Sequence, residues 1–152
     1  MKLEVGMYVR TKNGSIDKII DTTEEWCELE GDEDEKLYKI YKLNHYYYDD
    51  EFDEDTKWFL ERFFVKASHN IIDLIEVGDL IKIEYYSERY EKRVTRLFEV
   101  SKYNQYLTFS NAKCEFFLSC GEFTKEDKEL RPIIKSIVTK EQFEEMSYKV
   151  GE

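Results

Sequence analysis

Side chains able to do chemistry crowd into two short stretches of this sequence. Asp49-Asp50-Glu51-Phe52-Asp53-Glu54-Asp55 places six carboxylates in seven positions, and an earlier run holds Glu28, Glu30, Asp32, Glu33, Asp34 and Glu35. Carboxylates this dense can hold hard cations, work in pairs as acid and base, or offer negative charge to a basic partner. The 49–55 run lacks the glycine and the later glutamate that a calcium loop needs, so no metal site is expected. His45 and His69 stand far apart, and Cys27, Cys114 and Cys120 have neither zinc-site nor disulfide-framework spacing. Cys114 and Cys120 read as small buried hydrophobes. Glycine-rich phosphate loops, Gly-x-Ser-x-Gly elbows and His-Glu-x-x-His helices are absent. The chain is therefore expected not to be an enzyme, with no catalytic residue and no cofactor.

Presentation of charge is the sharper expectation. An extended segment advances by roughly 3.3 Å per residue, close to the ~3.4 Å spacing of phosphates along one DNA strand. A carboxylate ladder can thus imitate nucleic acid, best as a loop, because a strand would divide the acids between two faces. Tyr46, Tyr47 and Tyr48 adjoin the ladder and are of the type that interfaces favour, with packing on their own domain as the plainer alternative. The expected partner-binding set is Glu30, Asp32, Glu33, Asp34, Tyr46, Tyr47, Tyr48, Asp49, Asp50, Glu51, Asp53, Glu54 and Asp55. A second cluster, Tyr85, Tyr86, Arg89, Arg93 and Arg96 with Tyr90, combines aromatic and basic groups suited to a nucleotide or another small ligand. Its plainer alternative is a solvated strand face.

Charge over the 152 residues sums to −11. Residues 21–60 carry four basic and fifteen acidic groups, so the window alone accounts for −11, with +2 before it and −2 after it. A small domain needs a net charge of only about 2–8 in magnitude for solubility. The surplus fits a basic partner and weighs against direct nucleic-acid binding, which draws on clustered Lys and Arg. Trp26, Tyr38, Tyr41, Trp58 and Phe59 lie in the same window, and disordered acidic segments are poor in aromatics. The acids are expected on a folded scaffold, with solvated or disordered tips. No apolar run is long enough to cross a membrane.

The elements that must position these groups are mainly strands. Leu3-Glu4-Val5-Gly6-Met7-Tyr8-Val9-Arg10 aligns without a gap on Ile75-Glu76-Val77-Gly78-Asp79-Leu80-Ile81-Lys82. Each copy reads as a glycine turn feeding a strand. Asn13-Gly14 marks a hairpin before a strand over 15–20. Further strands are expected over 24–29, 37–43, 57–66, 80–86, 90–100, 103–110, 113–119 and 131–138, with turns at Ser87-Glu88 and Ser101-Lys102. Pro132 suits an edge strand. A short helical turn over 70–75 links two halves, 1–68 and 69–152. Thr139-Lys140-Glu141-Gln142 has the capping-box pattern, opening a helix expected to turn Phe143 and Met146 to the core. The fold class is mostly β: two small SH3-like barrels or a fused barrel pair, with a short linking helix and a short C-terminal helix.

The segments Asn70 to Asp79 and Ile134 to Val150, together with Met1 to Arg10, resemble a group of uncharacterised small proteins encoded by phages and prophages of low-GC Gram-positive bacteria. The acidic window and the Tyr/Arg-rich stretch after Asp79 depart from that group's pattern. The resemblance implies a non-catalytic accessory protein of phage type in the cytoplasm of a bacterial host. Joined to the charge pattern, it gives the expectation of an inhibitor that binds a basic surface of a host protein, such as a nucleic-acid-binding defence protein. The runner-up expectations are a nucleotide-binding or sequestering module and a phage structural or regulatory protein.

Overall fold

The computed structural model describes residues 2–28, 34–44, 58–104, 106–119 and 121–146. The chain divides into two compact units, Met1–Leu74 and Ile75–Glu152. Both are antiparallel sheets curled over a core of their own, in SH3-like strand order.

In the first unit β1 (Tyr8–Thr11) turns through Gly14 into β2 (Ile16–Cys27), followed by β3 (Lys36–Leu43), β4 (Trp58–Leu60) and β5 (Phe64–Ser68). The order across the sheet is β4-β3-β2-β1-β5. The expected Asn13-Gly14 hairpin forms, with Gly14 N–H donating to Thr11 C=O at 3.0 Å. Stretches 15–20 and 24–29, expected as separate strands, are one strand, β2, whose register against β3 shifts once between Ile19 and Asp21. The expected single strand over 57–66 is two strands at opposite sheet edges, β4 on β3 and β5 on β1, joined by a 3₁₀ turn at Glu61–Phe63. Side chains in a strand alternate faces, so adjacent Phe63 and Phe64 cannot both point inward from one strand. The 3₁₀ turn changes the direction of the chain between them. Phe63 then stacks on Phe59 at 4.8 Å, while Phe64 is buried with Leu3, Val9, Ile19, Tyr41 and Leu43. A second 3₁₀ turn, Ile71–Leu74, buries Leu74 and ends this unit.

The second unit comprises β6 (Leu80–Ser87), β7 (Lys92–Tyr103), β8 (Tyr106–Ser110), β9 (Glu115–Ser119), β10 (Glu122–Phe123), α1 (Lys125–Lys128), β11 (Ile133–Val138) and α2 (Lys140–Met146). Its order is β10-β9-β8-β7-β6-β11. Ser101 and Lys102, expected in a turn, pair with Thr108 and Leu107 inside the β7–β8 ladder. The chain reverses beyond Tyr103 instead, where Asn104 takes φ 54°, a left-handed conformation that asparagine tolerates. Pro132 precedes β11, which is an edge strand, so its missing N–H costs no ladder bond. The core joins Ile81, Ile83, Val94 and Val100 to Phe98, Phe109 and Phe116, with Phe98 and Phe116 meeting edge to face at 5.4 Å. Burying each such side chain is worth about 1.5–3 kcal/mol.

The two repeated segments adopt one conformation. Gly6 and Gly78 have φ of 95° and 97°, and each donates its N–H at 2.9 Å to the next long strand, Gly6 to Ile19 C=O and Gly78 to Val100 C=O. Leu3 and Ile75 are buried before the turn, Val9 and Ile81 after it.

The capping box forms as expected: Thr139 N–H donates to Gln142 Oε1 at 3.1 Å, and Gln142 N–H to Thr139 Oγ1 at 3.3 Å. Phe143 and Met146 do not face the core, being 52% and 76% exposed. The helix is held by its start instead, where Lys140 N–H donates to the buried Asp79 carboxylate at 2.8 Å and Lys140 Nζ lies 3.1 Å from Glu76.

Candidate functional site

Two places in the described residues present side chains to a partner or a ligand. The first is the outer part of the β2–β3 hairpin. β1 follows β2 only along 16–18 and β4 follows β3 only along 40–42, so beyond Thr23 and Ile40 the two strands run on as a ribbon to Cys27 and Lys36. Side chains repeat every second residue along a strand, which puts Leu37 and Lys39 on the same side as buried Tyr41 and Leu43. Trp26 pairs with Leu37 on that side. The core-facing register thus continues past the core and ends on an apolar pair that is 64% and 47% exposed. Glu24, Glu25, Glu28, Asp34 and Glu35 are exposed around it.

The second place is a cleft of about 510 Å³ within the second unit. β6 and β7 pair without interruption from Leu80 and Glu99 to Ser87 and Lys92, whereas β8 accompanies β7 only along 99–103. The far part of this hairpin therefore lacks a third strand on the β7 side. The β8–β9 loop comes there instead. Asn111 donates from Nδ2 to Leu97 C=O at 3.2 Å, while its Oδ1 accepts from the N–H groups of Lys113 and Cys114 at 2.8 and 2.9 Å. One asparagine thus fixes both the loop and the two residues it offers to the cleft. The opposite wall is α1 and the residues after it. Asp127 Oδ2 accepts from Phe117 N–H at 2.7 Å, and Tyr86 N–H donates to Leu130 C=O at 2.9 Å.

Arg96 lies on β7 between Val94 and Phe98, both buried and on the same strand face, yet Arg96 is exposed because the cleft opens there. Arg89 sits over the Tyr90 ring, 5.5 Å from its centre. Arg89, Arg96 and Lys113 make no ion pair with any described residue. Glu88, Glu126 and Glu129 also line the cleft. Tyr85 forms the floor, packed edge to face on Phe98 and Phe116 at 6.0 and 5.3 Å. Burial raises the pKa of its phenol, and a hydrogen bond with Cys114 adds to the shift. Burial likewise raises the Cys114 thiol, against the pull of the Tyr85 bond. A thiol shifted upward is a poor nucleophile at neutral pH.

Of the expected ligand cluster, Tyr85, Tyr86, Arg89 and Arg96 meet in this cleft with Tyr90. Arg93 does not join them. It points to the other side of β7, where its guanidinium lies 3.3 Å from Glu84 Oε2 and donates to Arg131 C=O at 2.7 Å, tying β7 to the start of β11. Glu88, Lys113, Cys114, Glu126 and Glu129 were not in that expected cluster. Except for Glu88, they are brought in by segments distant in sequence, and the one local signal was Asn111 two residues before Lys113, a turn-forming spacing.

Of the expected partner-binding set, Asp34 is described, exposed and just before β3. Glu30, Asp32, Glu33, Tyr46, Tyr47, Tyr48, Asp49, Asp50, Glu51, Asp53, Glu54 and Asp55 lie outside the described residues, as do His45 and Cys120. Among the described residues no three His, Cys, Asp or Glu side chains come together as a metal site, and no helix is long and apolar enough to cross a membrane. No protein-family profile matches the chain, and neither does any curated protein or solved structure.

Proposed function

We propose that the protein is a non-catalytic accessory factor of phage type that inhibits a host defence protein by covering its basic, nucleic-acid-binding surface. The contact is made by the β2–β3 ribbon together with the acidic window that continues from it. The observation that carries this reading is the Trp26–Leu37 pair, an apolar couple on the core-facing register that nothing among the described residues covers. An indole lost to solvent forgoes about 1.5–3 kcal/mol of burial, which a partner can recover. Exposed Glu24, Glu25, Glu28, Asp34 and Glu35 around the pair favour a partner of positive charge.

Immobilised protein should retain from host lysate a basic protein that is released as salt rises from ~50 to ~300 mM, because screening shortens the reach of exposed charges. The retained protein should no longer bind nucleic acid. Trp26→Ser and the double change Glu25→Lys with Asp34→Lys should each abolish retention while leaving the melting temperature unchanged. Retention by both variants, or a captured protein that still binds nucleic acid, refutes the proposal.

A further inference from the structure

The cleft between β6, β7, α1 and the β8–β9 loop shares no residue with the ribbon, and its lining is chemically divided. Cations (Arg89, Arg96, Lys113), phenol rings (Tyr85, Tyr86, Tyr90) and carboxylates (Glu88, Glu126, Glu129) face one space of about 510 Å³. That volume falls within the range of roughly 300–1,000 Å³ typical of small-molecule sites. We propose that the cleft binds a mononucleotide whose base carries an exocyclic amine. The cations would take the phosphate, a phenol ring the flat base, and a carboxylate the amine.

Each assignment rests on a property of the lining. Two guanidiniums and an ammonium make no ion pair among the described residues although three carboxylates line the same cleft. They are available to an anion, and guanidinium is the group whose fork matches phosphate oxygens in pairs. Arg96 occupies a position on β7 whose two neighbours on the same strand face are buried apolar residues, so its charge is aimed along the inner side of the hairpin. Phenol rings stack on any base, and such contacts are tolerant of base identity. An ionised carboxylate accepts hydrogen bonds and donates none. It favours bases that present an exocyclic NH2 with two donor hydrogens, as adenine, guanine and cytosine do, over uracil, whose single ring N–H is flanked by two carbonyl oxygens that repel a carboxylate. An anion with no ring would engage the cations and leave the phenols and carboxylates without a role.

The experiment is calorimetric titration of the full chain with AMP, GMP, CMP, UMP and orthophosphate, repeated with Arg96→Gln, Arg89→Gln and the double variant Glu126→Gln with Glu129→Gln. Arg96 and Arg89 are exposed, so these variants are expected to keep the parent's melting temperature. At least one amine-bearing nucleotide should bind one to one, ~10-fold or more tighter than UMP and orthophosphate, as expected for a lost charge-assisted hydrogen bond or a lost stacking contact. Arg96→Gln should weaken that binding ~10-fold. The glutamate double variant should narrow the ratio of affinities between the amine-bearing nucleotide and UMP, because the loss of two negative charges acts on both phosphates alike while the lost acceptors act on the amine alone. Absence of nucleotide binding at millimolar concentration, orthophosphate binding as tightly as the nucleotides, or unchanged affinity in both arginine variants overturns the proposal. Trp26→Ser should bind nucleotide as the parent does, so failure at the ribbon and failure at the cleft are told apart.

Discussion

Glu4 and Glu76 occupy the same place in two turns with the same backbone, yet the turns hold different things. In the first unit Glu4 N–H donates to the Met7 sulfur at 3.3 Å, and in the second Glu76 N–H donates to Asp79 Oδ2 at 2.8 Å. A thioether is a weak acceptor, whereas a carboxylate is charged and has a second oxygen to spare. That second oxygen receives Lys140 N–H and so draws the start of α2 onto the turn. The glutamate side chains follow suit. Glu4 Oε1 lies 2.5 Å from His69 Nε2, just after β5, and Glu76 Oε1 lies 3.1 Å from Lys140 Nζ, just after β11. One scaffold thus accepts a 3₁₀ turn in one copy and a capped helix in the other: Asp79 ties α2 directly to its turn, whereas the 3₁₀ segment is held through Arg10, whose Nη1 donates to Leu74 C=O. The units also differ in which hairpin overruns the sheet: β2–β3 in the first, ending on bare Trp26, and β6–β7 in the second, walled into a cleft.

The largest effect should come from Asp79→Ala. Its carboxylate is fully buried and serves two backbone donors, so removal should cost about 3 kcal/mol, since hydrogen bonds to charged groups are worth roughly 1.5–3 kcal/mol. Met7→Ala, at the matching position, should cost about 1 kcal/mol because its side chain is only half-buried. Urea unfolding with amide exchange resolved for each unit measures both. Equal losses would break the contrast between the two turns.

Gly6→Ala and Gly78→Ala should each cost about 1–2 kcal/mol in their own unit, because both backbones lie at positive φ, where a Cβ is strained. Here the expected outcome is sameness, and a loss confined to one unit would show that the turns are alike in shape but not in strain.

The smallest effect concerns acid. A hydrogen bond from His69, and then its charge, hold the Glu4 carboxyl below its ordinary pKa. A depressed folded pKa contributes stability above the unfolded carboxyl's range, and that contribution is lost as pH falls through the lowered value. With both side chains exposed it should be slight. His69→Gln should return Glu4 to the ordinary carboxyl range in an NMR titration, and an unchanged value would remove His69 as the cause.

Local rules made much of this fold legible. The paired Gly6 and Gly78 turns, the Asn13-Gly14 hairpin, the edge strand after Pro132 and the Thr139–Gln142 capping box each depend on residues within a few positions. Phe59, Phe63 and Phe64 misled because an aromatic run has no alternation to show that a 3₁₀ turn divides it. Phe143 and Met146 misled because helical spacing says which residues share a face but not whether that face is buried. In the cleft, β6 and β7 carried a visible Tyr/Arg cluster, but period 2 along β7 turns Arg93 away from Arg96, and Glu126, Glu129 and Lys113 arrive through tertiary folding alone. The acidic window was legible as charge, and nine of its fifteen acids lie outside the described residues.

Arg10 gives the first unit a boundary of an unusual kind. This arginine is fully buried on β1, and its Nη1 donates at 3.0 Å to the carbonyl of Leu74, the last residue of the unit. A fragment cut after Ser68 would complete every strand of the sheet and still deprive an interior cation of this acceptor. A fragment carried through Leu74 would keep it. The C-terminal limit of the first unit is therefore set by where a guanidinium from its beginning reaches, six residues past the last strand, and a cut that preserves this bond falls beyond that carbonyl.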